Sequence, residues 1–249
     1  MVIQWFPGHM AKTRRTISQN LKLVDVVIEL IDARIPLSSR NPEIDSIVGK
    51  KPRVIALNKS DLADPSGNHA WKKYFSEKGI DVIYTDALTG MGLGELKGKL
   101  KGLTCGKLEA ARAKGRLQRP VKTMVVGIPN VGKSAFINKI AGKASAATGD
   151  RPGVTKTQQW VRMNPGIQLL DTPGILWPKF EDAETGLNLA FTGAIKDEIM
   201  DTAELAAKLL EKLTVLYPDR LRERYKLAEP EGRTGVDILE EAGRKRGCL

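Results

Sequence analysis

Five short apolar runs rich in β-branched residues punctuate this chain: Val24–Asp32 (VDVVIELID), Pro52–Asn58 (PRVIALN), Ile80–Thr85 (IDVIYT), Val121–Gly127 (VKTMVVG) and Ile167–Asp171 (IQLLD). Runs of this length and composition predict buried strands. Helical candidates lie before them at Ala11–Leu23 and between them at Ala70–Lys78 and Ser134–Gly142. Strands alternating with helices predict an α/β fold, a mostly parallel sheet with helices on both faces. Past Phe180 the strand pattern stops. Asp201–Pro218 (DTAELAAKLLEKLTVLYP) has apolar positions at helical spacing, with Asp201 and Glu204 suited to its first turn and Pro218 marking its end. Thr234–Gly247 predicts another helix. The chain is therefore expected to hold an α/β domain at residues 1–180 and a small all-α domain at 181–249. Residues 97–122 (KGKLKGLTCGKLEAARAKGRLQRPVK) are rich in Lys, Arg and Gly with few large apolar side chains, and read as a helix end, a basic linker and a return to the sheet.

Composition narrows the class without naming a function. At 249 residues, 41% hydrophobic and 28% charged, the chain reads as a soluble globular protein of one to two domains. No apolar run approaches the roughly 18 residues that span a membrane, and the start, MVIQWFPGHMAK, lacks the apolar core of a secretory signal. The cytoplasm is the expected compartment. Cys105 and Cys248 have no CxxC spacing and read as ordinary thiols. A net charge of +11 fits a polyanionic partner, since Lys and Arg on phosphates release condensed counterions, and fits equally a protein that is merely basic.

Three short motifs carry chemistry. Gly127-x-x-x-x-Gly132-Lys133-Ser134 follows a predicted strand and opens a predicted helix, the setting of a phosphate loop. Its glycines let backbone N–H groups cradle phosphates along Asn130, Val131, Gly132, Lys133, Ser134 and Ala135. Lys133 reaches the β/γ-phosphates, Ser134 ligates Mg²⁺, and the helix N-terminus adds favourable partial charge. Asp171-Thr172-Pro173-Gly174 ends another strand, where Asp171 can hold Mg²⁺ and the Gly174 N–H can sense a γ-phosphate. Asn58-Lys59-Ser60-Asp61 ends a third. There the Asp61 carboxylate can accept two hydrogen bonds from guanine that adenine does not offer, so it selects GTP over ATP.

These are the motifs of the translation-factor-related GTPases in changed order, with NKxD ahead of the phosphate loop. A circular permutation explains the order without altering the fold, the basic stretch Lys101–Arg119 joining the old termini. With WFPGHM at the start, DARIPLSSRNP (Asp32–Pro42), TGDRPGVTKTQQW (Thr148–Trp160), DTPGILWPKF and TGAIKDEI (Thr192–Ile199), the chain resembles the RbgA/YlqF family of circularly permuted ribosome-assembly GTPases from Ile3 to its last residue. The resemblance implies a cytoplasmic GTPase that binds a late precursor of the large ribosomal subunit and its rRNA, with the subunit stimulating hydrolysis. A monomer is expected away from the ribosome. It further implies Thr155 as the switch threonine over Mg²⁺, Asp86 and Ala87 in the short loop beside guanine, and Asn130 as a ligand for K⁺ next to the phosphates. Ile175 stands where small GTPases place a water-orienting Gln, and isoleucine has neither donor nor acceptor. In the family His9 is the proposed replacement, and histidine can orient or deprotonate water near neutral pH. The helical domain resembles the family's RNA-binding domain, which usually continues past Leu249.

Two readings from other classes stand beside this one. A GTP-dependent RNA scaffold with incidental hydrolysis fits Ile175, and an ATP-dependent kinase built on the same phosphate loop is opposed by Asp61.

Overall fold

The computed structural model describes residues 10–115, 119–142, 159–163, 166–172, 174, 182–195, 201–229 and 232–248. The chain forms two compact units, Met1–Leu189 and Ala190–Leu249.

The first unit is built on six strands in the order β3-β2-β1-β4-β6-β5: β1 (Val26–Asp32), β2 (Arg53–Asn58), β3 (Asp81–Thr85), β4 (Val121–Val126), β5 (Gln159–Met163) and β6 (Ile167–Asp171). Every pairing is parallel except β5 with β6. The five predicted strands are present. The sequence pattern missed β5, whose QWVRM has Val161 as its buried apolar residue at 2% exposure while Trp160 and Arg162 are exposed. An edge strand with one covered face gives too weak an alternation to stand out. The phosphate-loop strand β4 lies at the middle of the sheet between β1 and β6, with β1, β2 and β3, which precede it in the chain, on one side and β6 and β5, which follow it, on the other.

Helices α1 (Met10–Leu21), α2 (Ile44–Val48), α3 (Pro65–Glu77), α4 (Leu93–Ala113) and α5 (Lys133–Ala141) accompany the sheet, and α6 (Ala183–Phe191) follows it in the chain. Ile17 and Leu21 pack with Val27, Met124, Val126 and Leu170, while Phe75 packs with Ile31, Ile55 and Leu57. Each such side chain contributes about 1.5–3 kcal/mol relative to exposure. The α3 start is set by Asp64, whose carboxylate accepts from the Ser66 and Gly67 N–H groups, with Pro65 next. Lys51 Nζ donates to the Val24 carbonyl at 2.8 Å and to the Leu21 carbonyl, fastening the end of α1 beside the start of β2.

One expectation is overturned. The helix expected to end early in residues 97–122 instead runs unbroken as α4 to Ala113. Leu93, Leu96, Leu100 and Thr104 are buried at helical spacing, and these anchors suffice where a fuller apolar face was expected. At the far end of this segment Arg119 grips buried Asp25 with both guanidinium nitrogens, at 2.7 and 2.9 Å, and the Lys122 N–H donates to the same carboxylate. This clamp fixes the start of β4 against the start of β1.

The second unit contains α7 (Thr202–Leu216), α8 (Pro218–Tyr225) and α9 (Gly235–Lys245) around Leu210, Leu221, Leu227 and Ile238. Asp201 caps α7 and Thr234 caps α9. Pro218 opens α8 as well as closing the α7 run, as suits its fixed φ and missing N–H.

Candidate functional site

Backbone crowding explains the glycines of the phosphate loop. A Cβ on Gly127 would stand 2.4 Å from the Leu30 carbonyl oxygen, so only glycine lets the loop leave β4 against β1. Gly132 has φ +98°, and a Cβ there would meet Asn58 Nδ2 at 2.7 Å. Asn130 takes the left-handed region at φ 55°. These conformations lead into α5, whose opening N–H groups at Lys133, Ser134 and Ala135 precede the first intrahelical bond, from Phe136 N–H to Gly132 O. They are the donors an anion would meet.

Lys133 is 6% exposed, and its ammonium donates to the carbonyls of Gly127 at 3.1 Å and Ile128 at 2.7 Å. Burial pushes it down to about 8, with the Asp171 charge opposing. Asp171 ends β6 at 1% exposure, and burial raises its carboxyl although Lys133 faces it. Its Oδ2 lies 3.5 Å from Ser134 Oγ, and its Oδ1 is buried with no hydrogen-bond partner among the described residues. An orphaned carboxylate oxygen beside a hydroxyl at a helix start is a donor set that suits a hard divalent cation, so Ser134 and Asp171 fit Mg²⁺. Thr172 donates to the Val125 carbonyl at 2.6 Å and anchors the strand end. Gly174 abuts the phosphate loop so closely that a Cβ would stand 2.6 Å from Pro129 N. Two loops far apart in the chain are thus in contact.

The base motif meets the same loop from the other side. The Asn58 side-chain NH₂ donates to the Val131 carbonyl at 2.9 Å, and its Oδ1 accepts from the Ala87 N–H at 3.1 Å. Lys59, at φ 58°, donates from Nζ to the Asn130 carbonyl at 3.0 Å and pairs with Asp32 Oδ2 at 3.2 Å. Asp61 lies exposed in the 3₁₀ turn Ser60–Leu62. Asp86 is buried and spends its carboxylate on its own turn, accepting from the N–H groups of Leu88 and Thr89. Those bonds, that from the Thr89 hydroxyl foremost, hold it below the usual carboxylate range. The Ala87 N–H is engaged by Asn58, so these two residues brace the base loops.

The structure therefore brings together Asn58, Lys59, Asp86, Ala87, Asn130, Val131, Gly132, Lys133, Ser134, Ala135, Asp171 and Gly174. His9, Thr155 and Ile175 lie outside the described residues. The sequence pattern gives Asp32 and Arg34 no role. Asp32 ends β1 in register with Asn58, buried at 3%. Burial pushes its carboxyl up, but two guanidinium hydrogen bonds from Arg34 and the charge of Lys59 outweigh that and leave it low. An acid at the end of an otherwise apolar strand was the available signal. Glu29, in the middle of β1, is a second buried acid and faces Arg40 and Arg53 at 2.9 and 3.2 Å.

A model of the family described as 50S ribosome-binding GTPase matches residues 122–226. The span opens at the phosphate-loop strand and leaves out the base motif upstream, as the permuted order requires. The protein named Ribosome biogenesis GTPase A from Bacillus cereus is 53% identical over 250 residues, covering 100% of this chain and 84% of the relative. Its namesake in Bacillus licheniformis is 52% identical over 249 residues, covering 100% and 88%. The mouse protein named Mitochondrial ribosome-associated GTPase 1 is 39% identical over 226 residues, covering 85% and 67%. Among solved structures, GNP-bound YlqF from T. maritima superposes with a TM-score of 0.60 at 26% identity over 95% of this chain and 94% of that one. Full-length identity above half, a shared fold and a phosphate loop in the permuted order place this chain in the ribosome biogenesis GTPase A family.

Proposed function

We propose that this protein binds GTP, hydrolyses it to GDP and phosphate, and uses the cycle as a switch in late assembly of the large ribosomal subunit. One observation carries the reading: Asn58 ties the phosphate loop at Val131 to the base loop at Ala87, so a nucleotide laid along it meets motifs from both halves of the chain. The names of the relatives supply the ribosomal setting.

On binding, the Lys133 ammonium exchanges two carbonyls for the β/γ-phosphates and becomes firmly cationic. The N–H groups of Gly132–Ala135 cradle the phosphates. Ser134 and Asp171 would hold Mg²⁺, which would supply charge neutralisation to the phosphates. Attack by water forms a new oxygen–phosphorus bond at the γ-phosphorus as the bond to the β-bridging oxygen breaks. Asn130 would hold K⁺, which would add charge neutralisation next to the phosphates, and Thr155 would help hold Mg²⁺. His9 would orient the water, a role in keeping with α1. The chain turns back in four residues between α1 and β1, so Met10 lies toward the strand ends that carry the phosphate loop. Asp61 would read guanine.

The test is GTP turnover in potassium buffer, with and without purified large ribosomal subunits, beside Lys133→Ala. Stimulation by subunits that Lys133→Ala lacks is expected, together with a fall on exchanging potassium for sodium. Tight GTP binding with turnover unmoved by subunits would instead favour a GTP-loaded scaffold, the reading that Ile175 supports.

A further inference from the structure

The positive charge of this protein does not reside in its helical unit. Residues 190–249 carry 11 Lys and Arg against 12 Asp and Glu, whereas residues 1–189 carry 29 against 17. The longest basic run is 97–122, with nine Lys and Arg and Glu109 as its one acid. Most of that run is α4. Its buried face ends at Thr104, and none of the described residues from Cys105 to Ala113 is buried. At 1.5 Å per residue, about 14 Å of helix continues past the packed part.

The opposite face is lined with glycines, with exposed Glu95 and Glu109 at its two ends. Gly94, Gly98, Gly102 and Gly106 recur every fourth residue, and a Cβ on any of them would meet no atom within 4 Å. Helical spacing sets Lys97, Lys101 and Arg112 along one flank of this ridge. None of the three forms an ion pair among the described residues, whereas Lys99 is taken by Asp81 at 2.8 Å. Glycines cost an exposed helix about 0.5–1 kcal/mol each relative to alanine, so the ridge does nothing for the stability of α4. A ridge without side chains beside unpaired cations suits a sugar–phosphate strand, which can approach the helix backbone closely while its phosphates meet the flank. The start of α4 follows the loop braced by Asp86, beside the nucleotide site.

We propose that α4 is an RNA-docking face, its glycine ridge and its Lys97, Lys101 and Arg112 flank seated on the backbone of ribosomal RNA. The identity of that RNA rests on the ribosomal reading above; the docking face itself does not. The test uses the full chain, a fluorescein-labelled RNA duplex and purified large ribosomal subunits. Lys97→Gln, Lys101→Gln and Arg112→Gln are combined in one variant. A second combines Arg220→Gln, Arg224→Gln and Arg246→Gln in the helical unit, and a third keeps charge with Lys97→Arg, Lys101→Arg and Arg112→Lys. The α4 variant is expected to bind both probes at least about tenfold more weakly at about 0.1 M salt, with the slope of log K against log salt reduced by about 2. Its GTP turnover without RNA should stay at the wild-type level, the charge-keeping variant should bind normally, and the helical-unit variant should lose less than about threefold. Undiminished binding by the α4 variant, or an equal loss in the helical-unit variant, would overturn the proposal. Loss on subunits with duplex binding intact would also overturn it, assigning the face to a ribosomal protein. Wild-type chain that binds the duplex through α4 yet ignores subunits would retain the docking face and remove the ribosomal reading.

Discussion

At the scale of the residue, the site is a set of polar groups whose partners lie far away in the chain. Lys59 spans Asp32 and Asn130, and Asn58 spans Val131 and Ala87. Asp61 is left exposed and available to a base. Asp61→Asn should therefore move nucleotide preference from guanine to xanthine by about 100-fold, roughly 2.7 kcal/mol, read by competition between the two triphosphates. Unaltered guanine preference would put the base-reading group elsewhere. Lys133 gives a pH prediction of defined sign. Its folded value of about 8 lies below the ordinary 10.5, so between those limits the unfolded chain holds the extra proton and stability rises with pH. Below about 8 the burial penalty is fully present. Urea unfolding of the nucleotide-free protein at pH 7.5 and 10 should show wild type gaining about 2–3 kcal/mol relative to Lys133→Met. No relative gain would mean that the amine is already neutral, or well solvated, at pH 7.5.

At the scale of the element, α4 and the caps show how far local pattern carries. Gly98 and Gly102 sit mid-helix, and a methyl group added at either would meet no atom within 4 Å. Gly98→Ala and Gly102→Ala should therefore each stabilise by about 0.5–1 kcal/mol in urea unfolding. Gly92→Ala should do the reverse, because its φ is +76° and its Cβ would stand 1.8 Å from the Tyr84 carbonyl oxygen. In the second unit, Thr234 accepts from the Asp237 N–H and caps α9. Thr234→Ala should cost that unit about 1 kcal/mol, measured as a lower urea midpoint. Capped helices and buried parallel strands were legible in the sequence because each is set by neighbours in the chain. β5 and the length of α4 were not, since the first is defined by its pairing with β6 and the second by where Leu93, Leu96 and Leu100 find a sheet to cover.

At the scale of the whole molecule, permutation exchanges the order of the motifs and keeps their places. β1 and β4, the central pair, come from opposite sides of the joint, and the Asp25–Arg119 clamp secures them. A nucleotide that binds only the folded site should stabilise the protein by about 2.7 kcal/mol at about one hundred times its dissociation constant. Thermal melts with GDP, with and without Mg²⁺, read this directly. Ser134→Ala should remove the Mg²⁺-dependent part of the shift, and a shift indifferent to Ser134 would place the metal on other ligands. By itself the sequence determined the phosphate loop, the base motif, the strands that carry them and the family resemblance, because these depend on residue type at short spacing. Only the tertiary structure decided that Asp32 serves Lys59, that Asp86 is spent on its own turn, that Gly174 rests on Pro129, and that the basic run after Lys97 is helical to Ala113 with a glycine-lined outer face. Each of these is a contact, or the lack of one, between residues or surfaces that no local spacing relates.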